Sequence, residues 1–95
     1  MFIVSLKYKK EISEVEKFIE QHIIFLNKYY EKKKFIVSGR KNPRNGGIIL
    51  VRDMTNDSLM DILKEDPFYV NEIANYEITE FIPTKFDEHF SYFID

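Results

Sequence analysis

Ser13–Lys33, SEVEKFIEQHIIFLNKYYEKK, carries the pattern on which the fold turns. Val15, Phe18, Ile19, Ile23, Leu26, Tyr29 and Tyr30 recur at steps of three and four, as one face of an α-helix requires. Lys17, Glu20, Asn27, Lys28 and Glu31 fall on the opposite face, so the predicted helix is two-sided. Ser13 with Glu16 three residues later forms a capping box that marks its expected start; its end is expected near Lys33. At about 100° per residue, His22 projects into the middle of the apolar stripe, beside Phe18, Ile19 and Leu26. A buried imidazole needs partners for both ring nitrogens, and imidazole ordinarily titrates near physiological pH. Its place in the stripe therefore marks either a satisfied core contact or an acid/base site.

Working outward, Phe2 to Tyr8 alternates, with Phe2, Val4, Leu6 and Tyr8 on one side and Ile3, Ser5 and Lys7 on the other, a half-buried strand. Phe35 to Ser38 reads as a second strand closed by Gly39, and the turn-forming segment Arg40 to Gly46 follows. Gly47 to Val51 is apolar on both faces, which predicts a central strand. Thr55 or Asp57 can cap a shorter helix carrying Leu59, Ile62 and Leu63, stopping before Pro67. Phe68 to Ile73 is expected to add a helical turn or two, and Tyr76 to Ile82 a fourth strand ended by Pro83. The order strand, helix, strand, strand, helix, strand predicts an α+β, ferredoxin-like antiparallel sheet with two helices on one face. That leaves the other, apolar-rich face of the sheet bare, and pairing two such faces in a symmetric homodimer would cover it.

The 95 residues allow one domain, and an aromatic content of 16% argues against disorder. The longest apolar run, Ile48 to Val51, is about four residues, far too short to span a bilayer, and Met1 runs directly into a strand. A soluble, cytoplasmic protein is the expectation. The absence of cysteine removes disulfides, thiolate nucleophiles and thiolate metal sites together. His22 and His89 are too few and too far apart in the chain to suggest a histidine metal site, so neither metal nor organic cofactor is expected. A net charge of −2 gives no drive toward nucleic acid, and no strand shows the basic-and-aromatic pattern of RNA-binding sheets. Lys32, Lys33 and Lys34 suit the negative end of the long helix's dipole and read as a solvated helix end.

Three segments could carry chemistry: His22, Ser38-Gly39 at the end of the second strand, and Asp66-Pro67-Phe68 after the second helix. A carboxylate that accepts the Nδ1 proton of an imidazole fixes its tautomer and leaves Nε2 for acid/base work. Asp66 is the candidate for that role, because the two helices are neighbours in the expected fold. Ser38 would add a hydroxyl, Gly39 a close backbone approach, Arg44 an anion anchor and Phe68 an aromatic wall. Each has a plainer use: His22 as a core residue, Asp66-Pro67 as a helix stop, Ser38-Gly39 as a strand end, Arg44 and Gly46-Gly47 as a hairpin loop.

Taken together, residues 1 to about 87 resemble the YciI-like, or YCII-related, family of small bacterial proteins. The likeness rests on His22 with Phe25-Leu26, Ser38-Gly39 with Pro43-Arg44 and Gly46-Gly47-Ile48-Ile49, then Asp66-Pro67-Phe68, Ala74 with Tyr76, and Phe81 before Pro83. Many relatives carry Pro directly after the Ser-Gly element, where this chain has Arg40. The resemblance implies a dimeric α+β barrel of ferredoxin-like subunits and an active site built on a His–Asp pair, which falls on His22 and Asp66. It points to a small cofactor-independent enzyme acting by proton transfer, isomerisation or elimination, on a small cyclic or aromatic metabolite. The alternative is a non-catalytic module that binds or senses a small ligand in the same cavity. Residues 88–95 fall outside the resemblance and are expected to dock, through Phe90, Phe93 and Ile94, on the domain or on a partner subunit.

Overall fold

A computed structural model describes residues 1–94; Asp95, the last residue of the expected tail, lies outside them. The elements are β1 (Phe2–Tyr8), α1 (Ile12–Glu16), α2 (Ile19–Glu31), β2 (Phe35–Arg40), β3 (Gly46–Val51), α3 (Asn56–Leu63), α4 (Pro67–Val70) and β4 (Ala74–Glu80). A 3₁₀ turn over Glu88–Phe93 follows. The strands form one antiparallel sheet in the order β2-β3-β1-β4, so β3 is interior as its two apolar faces require. This is the ferredoxin-like α+β fold, with each of its two helical connections divided into a pair. No helix among the described residues is long and apolar enough to cross a membrane.

The alternation in β1 places Phe2, Val4 and Leu6 in the core, which β3 extends with Ile49 and Val51. Val15, Phe25, Tyr29, Leu59, Leu63 and Phe68 close it from the helices. Leu59 and Leu63 are fully buried, each contributing about 1.5–3 kcal/mol of transfer free energy. The α3 start is set by Thr55, whose side chain accepts the Ser58 backbone N–H at 3.1 Å.

The long helix departs from its expected form in two ways. Its first turn begins at Ile12, with Glu11 at the cap and no side-chain capping bond, so Ser13 lies inside α1 and the capping box does not form. The helix is also interrupted at Lys17-Phe18, where Phe18 leaves the helical region (φ −114°, ψ 3°) before α2 begins. On one continuous helix Val15 and Phe25 would point about 80° apart. The interruption shifts the phase, and both are buried. The buried face of α2 is thus centred on Phe25 and Tyr29, with His22 at its margin. Ile23, expected in the core stripe, is 47% exposed. The apolar face of α2 is broad because one side meets the core and the other borders a pocket.

Three strands differ from expectation at their ends, β3 by starting one residue early, at Gly46. β2 continues through Gly39 to Arg40, paired with Gly47. β4 starts at Ala74 and ends at Glu80, short of Ile82, because the ladder with β1 closes where Phe2 pairs with Glu80 and the Met1 carbonyl accepts the Phe81 N–H at 2.9 Å. The helical end over Lys32, Lys33 and Lys34 is exposed, as expected of a solvated terminus. In the tail, Arg52 Nη2 donates to the Tyr92 carbonyl at 3.4 Å and its guanidinium lies 5.7 Å from the Tyr92 ring centre. His89 is exposed.

Candidate active site

Asp66 is the one charged or polar side chain among the fully buried residues described, with no exposed surface. It lies between α3 and α4 in extended geometry and caps α4, with Pro67 in the first helical position where a missing N–H costs nothing. Its Oδ1 accepts the Phe68 backbone N–H at 3.0 Å, so the segment expected as a helix stop does follow the end of α3 at Leu63 but also starts the next helix. The same oxygen lies 2.8 Å from His22 Nδ1, and Oδ2 accepts the Tyr76 hydroxyl at 2.5 Å. A backbone amide, an imidazole nitrogen and a phenol thus converge on one carboxylate. An ionised carboxylate accepts all three without a proton of its own, which repays the cost of burying it.

The preceding residue fastens the same connection to α2 at a second point. Glu65 turns outward, taking a bond from Lys28 Nζ at 2.6 Å and one from the Tyr29 hydroxyl, while Asp66 turns inward to His22. These bonds hold the Glu65 carboxyl below its ordinary value, Lys28 first and Tyr29 second. Burial, then the Asp66 charge and hydrogen bond, push the Tyr76 hydroxyl far above the usual tyrosine value of 10.0.

His22 is held by more than its hydrogen bond. Its ring stacks on Phe68 with centroids 4.1 Å apart and planes within 4°, and Phe68 in turn meets Tyr8 edge-on at 6.0 Å. With Nδ1 facing a carboxylate that already accepts two other donors, Nδ1 carries the proton. Nε2 has no protein partner among the described residues. The ring is 16% exposed and forms part of the wall of a pocket of about 370 Å³.

Of the six residues singled out from sequence, His22, Ser38, Gly39, Arg44 and Phe68 all border this pocket; Asp66 stands behind His22. Ser38 Oγ is fixed 2.7 Å from the Tyr30 hydroxyl, and Arg44 reaches Glu16 at 3.5 Å, a long contact. Sequence reasoning missed three contributors. The alternation of β4 turns Tyr76 inward and the family likeness includes it beside Ala74, but neither gives its hydroxyl a role. Tyr30 falls in the apolar stripe of the long helix, where its hydroxyl bond to Ser38 is not announced, and Arg40, a departure from the family pattern, borders the pocket. Gly46 has a steric reason: a Cβ there would sit 1.8 Å from the Leu6 carbonyl oxygen. Among the described residues, no three His, Asp or Glu side chains cluster as a metal site would require.

Fold and site together define a small α+β protein with a carboxylate-held imidazole beside an apolar pocket. The chain belongs to the YCII-related domain family, whose profile matches residues 1–82. Among solved structures it is similar to 5-chloro-2-hydroxyhydroquinone dehydrochlorinase (TftG) from Burkholderia phenoliruptrix AC1100, determined in complex with 2,5-dihydroxybenzoquinone. The two superpose with a TM-score of 0.74 over 93% of this chain and 96% of that one, at 16% sequence identity. At that identity the likeness establishes the fold. No curated protein matches the chain.

Proposed function

We propose that this protein is a cofactor-independent enzyme that moves a proton on a small cyclic or aromatic metabolite, with His22 as the acid/base group and Asp66 as its orienting carboxylate. One observation carries the reading: a 2.8 Å bond from His22 Nδ1 to a fully buried carboxylate, on an imidazole that also forms part of a pocket wall. Nε2 would take a proton from a carbon beside a carbonyl or from a ring hydroxyl, and the imidazolium so formed would be stabilised by Asp66. Return of that proton at a neighbouring position completes an isomerisation. Departure of a leaving group with its bonding pair, as the C–H electrons form the new double bond, completes an elimination. The dehydrochlorinase of similar fold makes elimination the branch to test first.

The expected assembly is a homodimer through the open sheet face, where Ile3, Val37 and Ile48 are exposed on the side away from the helices. No membrane or nucleic-acid partner enters the proposal.

The test is solvent-deuterium exchange and product formation, followed by NMR, across cyclic ketones, hydroxyquinols and halogenated phenols. The wild type is expected to exchange or convert at least one class, and His22→Gln and Asp66→Asn to lower that rate by about 10²–10⁴-fold with unchanged circular dichroism. Ligands that bind beside His22 with no exchange in any case would instead make the protein a binding module.

A further inference from the structure

The pocket beside His22 has an uneven charge. Arg40, Arg44 and His22 border it and no Asp or Glu does, in a chain that holds 16 acidic and 14 basic residues. The rest of the wall is mainly apolar, including Leu6, Ile19, Ile23, Leu26 and Ile49. Arg40 ends edge strand β2 opposite Gly47, and its guanidinium has no hydrogen bond or ion pair among the described residues. Arg44 has only the 3.5 Å contact to Glu16, itself well exposed. Two arginines whose guanidinium donors are little used therefore border one hollow.

We infer that the ligand of this pocket is a small monoanion, a single-ring carboxylate or enolate, whose charged group is taken by Arg40 and Arg44 while its ring lies against the apolar wall near His22. The inference rests on the reading of this pocket as a ligand site and adds the ligand's charge. Guanidinium presents paired donors that match a carboxylate or a pair of ring oxygens, and it stays charged throughout the useful pH range. The volume, about 370 Å³, lies at the low end of the roughly 300–1,000 Å³ typical of ligand pockets and suits one ring. Orientation follows: with the charge fixed at the β2–β3 side, the opposite edge of the ring is turned toward the helix that carries the imidazole.

Benzoate and benzamide, alike in shape and different in charge, test this. Binding is read from the His22 ring signals by NMR and titrated against the wild type, Arg40→Gln, Arg44→Gln, the double variant and Lys34→Gln as a control for general charge. Benzoate is expected to bind about tenfold more tightly than benzamide, and each arginine substitution to erode that preference. The double variant is expected to abolish it, and Lys34→Gln to leave it intact. Equal affinities, or a preference that survives the double substitution, would overturn the anion assignment and leave the ligand pocket standing. Failure of both probes to perturb His22 at millimolar concentration would remove the pocket reading and this inference with it.

Discussion

The Tyr76 hydroxyl donates to Asp66 Oδ2 at 2.5 Å, on the oxygen that His22 does not use. Strand β4 thereby holds the carboxylate whose other oxygen holds the imidazole of α2. Tyr76→Phe leaves Oδ2 buried and without a donor, which should cost about 1–3 kcal/mol of stability at neutral pH. The pH dependence has a definite sign. The folded hydroxyl is held above 10.0, chiefly by burial, so the native state keeps a proton that the unfolded chain gives up near that value. Wild-type stability is therefore undiminished by this group below pH 10 and declines above it, while the variant lacks that decline. Denaturant titrations from pH 7 to 11 should show the gap between the two proteins narrowing past pH 10.

Imidazole tautomer is the most direct readout of the pair. With Asp66 Oδ1 2.8 Å from Nδ1, neutral His22 should be the Nδ1–H form, and Asp66→Ala should release it to the other tautomer. The chain has two histidines, and His89 is exposed in the tail, so two-bond ¹⁵N–¹H correlation spectra separate them without further labelling. A wild-type His22 protonated at Nε2 would contradict the bond drawn here and, with it, the proposed availability of Nε2 for chemistry.

Much of this geometry was legible before any coordinates. Two-residue alternation in β1 and the uniformly apolar β3 report burial directly, and those elements lie within one residue of where they are expected. The broad stripe on α2 reads as core throughout because a helix face that meets both core and pocket is apolar on both sides. Ile23 and Phe25 look alike in sequence, yet one is 47% exposed and the other 5%. The interruption at Lys17-Phe18 has no Pro or Gly to announce it, and the Ser13–Glu16 spacing mimics a cap that the chain does not use. His22 and Asp66 were paired by resemblance and by the adjacency of two helices. Tyr76 contributes through one hydroxyl reached across the sheet, a contact that no local spacing encodes.

Gly46 and Gly39 should separate in stability although both border the pocket. A Cβ on Gly46 would meet the Leu6 carbonyl oxygen at 1.8 Å and its carbon at 2.8 Å, and this is backbone of an inner strand that cannot swing aside. Gly46→Ala should lower stability by about 1–3 kcal/mol or more through forced separation of β1 and β3. At Gly39 nothing lies within 4 Å of the added methyl, so Gly39→Ala should stay within about 0.5 kcal/mol of wild type. Urea midpoints for the two variants settle the contrast. Equal stabilities would mean that the β1–β3 register around Leu6 is not as described.

The open face of the sheet gives the last expectation. Ile3 on β1 lies between Leu50 of β3 and Thr79 of β4 in the register, on the side opposite the buried Val4, and is 37% exposed. Val37 of β2, paired with Leu50, continues the same apolar surface. If two such faces meet in the proposed homodimer, Ile3→Lys places an unpaired ammonium in the interface, where desolvation costs several kcal/mol. In the separate subunit the same side chain reaches water and should change stability by no more than about 0.5 kcal/mol. Light scattering after size exclusion should therefore give about twice the 11.5 kDa chain mass for wild type and the chain mass for Ile3→Lys, with matching circular dichroism. Ile3 does not border the His22 pocket, so benzoate binding by the Ile3→Lys monomer would show that one subunit forms the anion site alone. Loss of binding with the dimer would mean that the second subunit closes it. A wild type that runs as a monomer would leave the apolar face without the partner proposed for it.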